Sequence, residues 1–209
     1  MQKQRINLDD SMLIGKGRDR ACYAHPQNPN LCVKVALQVE KQSEREKDYL
    51  SYLHNKNRDL THVSQFHGVI ETNFGTGYLF DLARDANGEI SLTLKEAIKS
   101  KTIKEPEVIK LIHHIEAYLL SQKICAYDLS PSNIVIQKDE SSNWQFKIID
   151  GLGVGTPNPI IQRIDLLTNN LLNRSFRQLR RKAEKNIRYT KLNATAPKKI
   201  RKSKFQKNL

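Results

Sequence analysis

Asp128 and Asn133 stand five residues apart in the run Ala126-Tyr127-Asp128-Leu129-Ser130-Pro131-Ser132-Asn133, and the segment after Asn133 constrains the path of the chain more than any other. Ile134-Val135-Ile136-Gln137 and Gln145-Phe146-Lys147-Ile148-Ile149 are β-branched runs joined by a polar stretch from Lys138 to Asn143, which predicts a hairpin. A hairpin lays its second strand beside its first, so Asp150 returns to the neighbourhood of Asn133. The three residue types suit one chemistry. A carboxylate such as Asp128 accepts the proton of a hydroxyl that attacks a phosphate, while Asn133 and Asp150 offer oxygen ligands to the divalent metal bridging the phosphates. Alone, an Asp and an Asn in a loop are usually turn residues, so the reading depends on what lies upstream.

Upstream, Leu13-Ile14-Gly15-Lys16-Gly17-Arg18-Asp19-Arg20-Ala21-Cys22-Tyr23 predicts a strand, a glycine-containing turn and a second strand. At Gly15 and Gly17 the missing Cβ lets backbone N–H groups approach phosphate oxygens, although a lone Gly-x-Gly is most often an ordinary hairpin turn. Leu31-Cys32-Val33-Lys34-Val35-Ala36 is an apolar strand interrupted by one lysine. Burying that ammonium without an anionic partner is costly, so Lys34 either faces outward on an edge or meets an anion. The next segment, residues 43 to 54, has Tyr49, Leu50 and Leu53 on one helical stripe. Glu46 lies beside that stripe and is the candidate partner for Lys34, with Glu44 as the fallback.

Taken in this order, the elements resemble those of the protein-kinase-like superfamily. The stretches Gly15 to Pro26, Val33-Lys34-Val35, Phe66-His67-Gly68 and Glu71 to Tyr78 resemble, more narrowly, the YrbL family, described as PhoP-regulated, from about residue 10 to about residue 155. The resemblance implies a kinase-like fold with ATP and Mg²⁺ as cofactors. It places Asp128 as the base, Asn133 and Asp150 on the metal, Lys34 on the α and β phosphates with Glu46 fixing its rotamer, and Gly15 and Gly17 over the phosphates. Asp81 and Ala83 would stand at the inter-lobe hinge, with backbone groups facing the adenine edge.

Several positions depart from the kinase pattern. Arg20 stands where the third glycine belongs, and Ala126-Tyr127 replaces the His-Arg of the catalytic loop, which leaves no arginine there to receive an activation-loop phosphate. Ser130 stands where many protein kinases carry a lysine that neutralises the transferring phosphoryl group, so catalysis would be poor unless another cation substitutes. Gly151-Leu152 replaces Phe-Gly, and too few residues remain after it to build a full peptide-docking platform. That favours a small or membrane-borne acceptor.

The expected architecture is α+β: a small two-lobe protein-kinase-like fold with a truncated helical C-lobe and a basic C-terminal tail. Residues 1–83 form an N-lobe of antiparallel sheet plus one helix, 84–190 a reduced helical C-lobe with the catalytic loop, and 191–209 a disordered tail. Within the C-lobe, a short helix near Leu94, capped by Ser91 or Thr93, precedes a longer one with Pro106 in its first turn and Val108, Ile112, Ile115 and Leu119 on one face. From Ile160 to about Tyr189, apolar residues recur at helical intervals, as one helix or as two broken near Asn169-Asn170.

The formal net charge of +13 is carried by one segment. From Arg174 to Leu209 there are 14 Lys and Arg against the single acid Glu184, whereas residues 1 to 173 hold 21 of each sign. Such a segment is drawn to anionic lipid, lipopolysaccharide precursors or nucleic acid, or it only solubilises the chain. Sparse aromatics, Phe176, Tyr189 and Phe205, argue against base-specific reading of nucleic acid. Three cysteines without a Cys-x-x-Cys pair, the lack of a signal-like N-terminus and the lack of a long apolar stretch predict a cytoplasmic protein, peripheral to the inner membrane if the tail engages lipid.

Two functions are expected on these grounds. The first is an ATP- and Mg²⁺-dependent phosphotransferase acting on an unidentified hydroxyl acceptor, a lipopolysaccharide-type sugar or other small molecule. The second is a catalytically silent scaffold that binds a nucleotide or presents its tail.

Overall fold

The computed structural model describes residues 5–37, 42–139, 143–153 and 165–195. The chain is mixed α and β, with a six-stranded sheet, a separate hairpin and four α-helices among those residues. The sheet is built from β1 (Arg5–Ile6), β2 (Leu13–Lys16), β3 (Arg20–Ala24), β4 (Leu31–Ala36), β5 (Phe66–Thr72) and β6 (Gly75–Asp81), in the order β1-β5-β6-β4-β3-β2. All neighbours are antiparallel except β1, which runs parallel to β5. The sequence predicted a purely antiparallel sheet, and β1 makes it mixed. This extra strand is two residues long and is fixed by Asn73, whose side chain accepts from the Leu8 N–H at 2.8 Å and donates to the Leu8 carbonyl at 2.9 Å.

Strand alternation sorts the side chains of the sheet into two cores. Ala21, Tyr23, Val33, Val35 and Ile70 join Ile6 and Leu8 on one face. Cys32 and Phe80 face the other way, into the main core, with Cys22 and Tyr78 packed against it. Because both faces of β4 are covered, it reads as a continuous apolar run, and Lys34 is buried by its strand's position in the sheet. At Gly77 a Cβ would overlap the Val33 side chain, so only glycine lets β6 lie against β4 there.

Helix α1 (Gln42–Asn55) buries Ser43, Glu46, Tyr49, Leu50 and Leu53, one stripe at helical spacing, against the main core. Helix α2 (Leu94–Ser100) is started by Thr93 in a reciprocal capping box with Glu96. Helix α3 (Glu105–Ser121) carries Pro106 in its first turn and buries Val108, Leu111, Ile112, Ile115, Tyr118 and Leu119. It ends before Lys123, which takes positive φ and turns the chain toward Asp128. Strands β7 (Ile134–Lys138) and β8 (Trp144–Ile148) form the predicted hairpin.

Helix α4 (Asp165–Thr195) runs unbroken through Asn169-Asn170 and packs on α2 and α3 through Leu172, Phe176, Leu179 and Ala183. Its 31 residues span roughly 46 Å at 1.5 Å per residue. It includes Lys191 to Thr195, which the sequence assigned to the disordered tail and which instead continue the helix; the rest of that tail, 196–209, lies outside the described residues. No helix among the described residues is long and apolar enough to cross a membrane.

Candidate active site

The site lies where the main-core face of the sheet meets the segment between α3 and α4. Three elements bring their charged residues to one buried point: β4 with Lys34, α1 with Glu46 and the end of the β7–β8 hairpin with Asp150. The Lys34 ammonium donates to the Ile149 carbonyl at 2.7 Å, stands 3.5 Å from Glu46 Oε2 and lies 3.9 Å above the centre of the Phe80 ring. Glu46 is 5% exposed, while Glu44, the fallback, is exposed.

A fourth charge joins them that the sequence did not assign to the site. Arg20, at the start of β3, donates through Nη1 to Ser43 Oγ at 3.1 Å and to Glu46 Oε2 at 3.2 Å, and through Nη2 to Asp150 Oδ2. Its side chain is 9% exposed. Two cations and two anions thus meet in a charge-balanced quartet, buried at Arg20, Lys34 and Glu46 and partly open at Asp150, as a low-dielectric setting requires. Glu46 lies nearer to Arg20 than to Lys34. Strand parity could have found Arg20: two residues before Cys22 on β3, it shares the face that Lys34 shares with Cys32 on β4.

The quartet sets the ionisation of its members. Burial pulls the Lys34 ammonium down, but Glu46 and Asp150 outweigh it and hold its pKa above the usual lysine value. Burial pushes Asp150 up, and Lys34 and Arg20 more than offset this, leaving the carboxyl below its usual range. For Glu46 burial prevails over both cations, and the pKa is raised.

Asp128 and Asn133 lie in the adjoining loop. Asn133 Nδ2 donates to the Asp128 carbonyl at 2.9 Å and reaches Asp128 Oδ2 at 3.3 Å. The Ile149 N–H donates to the Asn133 carbonyl at 2.9 Å, so Asn133 and Asp150 are neighbours across the hairpin, as its pattern predicted. Gly151 locks the two halves together. At φ +82 it takes a conformation glycine favours, and a Cβ there would overlap the Asp128 carbonyl oxygen. The Tyr127 N–H donates to the Gly151 carbonyl at 2.9 Å and the Gly153 N–H to the Cys125 carbonyl at 2.9 Å. From behind, the Tyr49 hydroxyl of α1 accepts the buried Cys125 N–H at 2.7 Å.

Asp128 also has partners on α4 that sequence reasoning missed. Gln178 Nε2 donates to Asp128 Oδ1 at 2.9 Å, and Lys182 Nζ reaches the same oxygen at 3.1 Å. One turn earlier, Ser175 Oγ donates to the Ala126 carbonyl. Ser175, Gln178 and Lys182 form an i, i+3, i+7 row beside the buried stripe of α4, a spacing legible in the sequence once the helix is oriented.

The remaining candidates lie around this centre. Gly15 has open space where its Cβ would be. The Gly17 N–H donates to the Arg20 carbonyl at 2.8 Å, closing a tight hairpin with Arg18 and Asp19 at its tip, so that amide is committed within the turn. At the end of β6 the Asp81 N–H donates to the Gln65 carbonyl, while its carboxylate accepts from His67 at 2.6 Å and Lys147 at 3.1 Å. Ala83 accepts from the Ser91 N–H through its carbonyl, and its own N–H has no backbone partner among the described residues.

Asn133 and Asp150 are hard oxygen donors, and no group of three or more His, Cys, Asp or Glu suited to a metal occurs among the described residues. Such a pair fits a Mg²⁺ ion that takes its other oxygens from phosphates and water. The Arg20 guanidinium occupies the Asp150 oxygen that this ion would share.

The family described as "PhoP regulatory network protein YrbL" matches residues 6–184. A protein of Escherichia coli (strain K12) named "Uncharacterized protein YrbL" is 30% identical over 161 residues, which cover 74% of this chain and 77% of that protein. A protein of the same name from Shigella flexneri matches to the same extent. The chain belongs to the YrbL family of PhoP regulatory network proteins.

Proposed function

We propose that this protein is a kinase-like phosphotransferase that uses ATP and Mg²⁺ to phosphorylate a small hydroxyl compound. The observation that carries the reading is the meeting of Lys34, Glu46 and Asp150, from three elements distant in sequence, beside an Asp128–Asn133 loop pinned by Gly151. Structural ion pairs also occur in cores, but a core has no need of a half-exposed carboxylate and an amide set against them.

In this reading Lys34 and the backbone near Gly15 hold the phosphates, and the Ala83 N–H meets the adenine. Asn133 and Asp150 hold the metal, which would neutralise charge on the transferring phosphoryl group. Asp128 Oδ1 is occupied by Gln178 and Lys182, and Oδ2 carries the long Asn133 contact. Oδ2 is therefore the oxygen that accepts the acceptor's proton.

Calorimetric titration with ATP, with and without Mg²⁺, tests the donor side. Binding that needs Mg²⁺ and weakens in Asp150→Asn and Lys34→Ala, both checked for folding, is expected. Equal binding by all three proteins would overturn the assignment. Product formation with a panel of sugar and lipid-precursor hydroxyls then tests transfer, and Asp128→Ala should reduce it about 10²- to 10⁴-fold.

One observation favours the silent scaffold instead: Arg20 already supplies the charge that a metal would bring to Asp150. On that reading nucleotide binds with or without Mg²⁺, and no product forms.

A further inference from the structure

The catalytic loop offers no cation of its own beside Asp128. Ser130 is 3% exposed, and its hydroxyl is paired with that of Ser132 at 2.9 Å. The cations of the quartet are committed to Glu46, Asp150 and the Ile149 carbonyl. Within salt-bridge distance of the Asp128 carboxylate, among the described residues, stands one ammonium, that of Lys182. It comes from α4, 54 residues later in the chain.

We propose, building on the phosphotransferase reading, that α4 supplies the acceptor side of the centre, with Lys182 as a catalytic cation and Gln178 as the residue that positions Asp128. Lys182 and Asp128 are each about four-tenths exposed, at 38% and 42%. A pair so open contributes little to stability, so folding alone gives slight reason to hold it. The same openness lets the ammonium leave Asp128 Oδ1 for a phosphoryl oxygen without crossing a core. Gln178 stays on Oδ1 and keeps the carboxylate oriented. Lysine's flexible stem and three donors suit such a transfer between partners.

The step balances without a redox partner. The acceptor oxygen forms a bond to the γ-phosphorus, its proton passes to Asp128 Oδ2, and the bond from phosphorus to the β–γ bridging oxygen breaks to release ADP. Lys182 stabilises charge on the equatorial oxygens as that exchange occurs. Its contribution thus falls on the transition state and leaves ground-state nucleotide binding nearly untouched.

The test uses the full chain and Mg·ATP, with water as acceptor and ADP release as the signal, alongside calorimetric binding of the same nucleotide. Lys182→Ala should lower kcat on the order of 10²-fold with KM for ATP changed less than about twofold, and Lys182→Arg should restore part of the rate. Gln178→Ala should lower kcat by a smaller factor, with binding again unchanged. Lys182→Ala turning over like wild type, while Asp128→Ala is inactive, overturns the proposal and leaves the phosphotransferase reading standing. A wild-type protein that binds Mg·ATP without turnover also overturns it, in favour of the scaffold. Absence of Mg·ATP binding overturns both. If Lys182→Ala is misfolded by circular dichroism, Lys182→Gln, one bond shorter but still a neutral hydrogen-bond donor, decides by the same split between kcat and KM.

Discussion

Arg20 donates to the carboxylate of Asp150, a residue 130 positions later in the chain, and with its other nitrogen to Glu46. The bond ties the turn between β2 and β3 to the end of the β7–β8 hairpin. In the nucleotide-free protein, Arg20→Ala removes one of the two quartet cations that face Glu46 and Asp150. A loss of about 3–5 kcal/mol in stability is expected, as for other buried ion groups that lose one member, and it would be read from urea unfolding. The same change removes the guanidinium from the Asp150 oxygen that a metal would take. The extra thermal stabilisation that Mg²⁺ adds to ATP should therefore be larger in Arg20→Ala than in wild type. An equal or smaller increment would show that guanidinium and metal do not compete there.

The pH dependence of stability is set by the opposite shifts of the two acids. The Asp150 carboxyl is held below its unfolded value: burial opposes this, but Lys34 and Arg20 prevail. Its contribution is therefore fully present above about pH 3.9 and lost as pH falls through the lower native value. Glu46 works in the other direction, because burial raises its pKa and favours the protonated form. Comparing wild type with Asp150→Asn isolates the first effect. Their difference in unfolding free energy should be constant near neutrality and shrink below about pH 4. A difference that does not depend on pH would mean that Asp150 is not an ionised member of the quartet.

Much of this centre was legible in the sequence, for physical reasons that also explain what was missed. Lys34 interrupts an apolar run, and Glu46 borders a helical stripe, so each announced a buried charge seeking a partner. The β-branched runs around 138 to 143 required Asp150 to return to Asn133. Arg20 reads as a turn charge in a segment rich in them, and only its register on β3, set by pairing with β4, turns it inward. Gln178 and Lys182 were hidden in a helix whose basic residues look alike until Leu172, Phe176 and Leu179 fix which flank meets the loop. Strand β1 is too short to announce itself by alternation, and its pairing depends on the remote Asn73.

Gly151→Ala tests how tightly the loop is held. At φ +82 a side chain costs about 1–2 kcal/mol in the left-handed region alone, and overlap with the Asp128 carbonyl adds to it. A destabilisation of at least about 2 kcal/mol is expected from the urea midpoint, together with loss of any Asp128-dependent turnover. A variant that keeps full stability would show that Gly151 is not a constrained position.

Tyr49→Phe removes one oxygen from the core and leaves the buried Cys125 N–H without its acceptor. Leaving a buried donor unsatisfied costs about 1–3 kcal/mol. Denaturant unfolding should show a loss in that range, with the denaturant slope unchanged. A neutral substitution would mean that the Cys125 amide finds another partner, and that α1 is not fixed to the Asp128 loop through it.

The C-terminal charge divides into two parts with different prospects of meeting an anionic surface. On α4, Arg180 is paired with Glu116, Lys182 with Asp128 and Lys191 with Glu105, so three of its basic residues already have anionic partners in the protein. Residues 196–209 contribute six Lys and Arg and no acid. Near an anionic leaflet each basic residue is worth about 1 kcal/mol, so deleting 196–209 should weaken binding to phosphatidylserine-containing vesicles by several kcal/mol at low salt. It should also flatten the salt dependence, since fewer charges are then screened. Co-sedimentation across a salt series measures both. Undiminished binding after the deletion would move the determinant to the exposed arginines of α4, and absence of binding by the full chain would leave the segment without a membrane role.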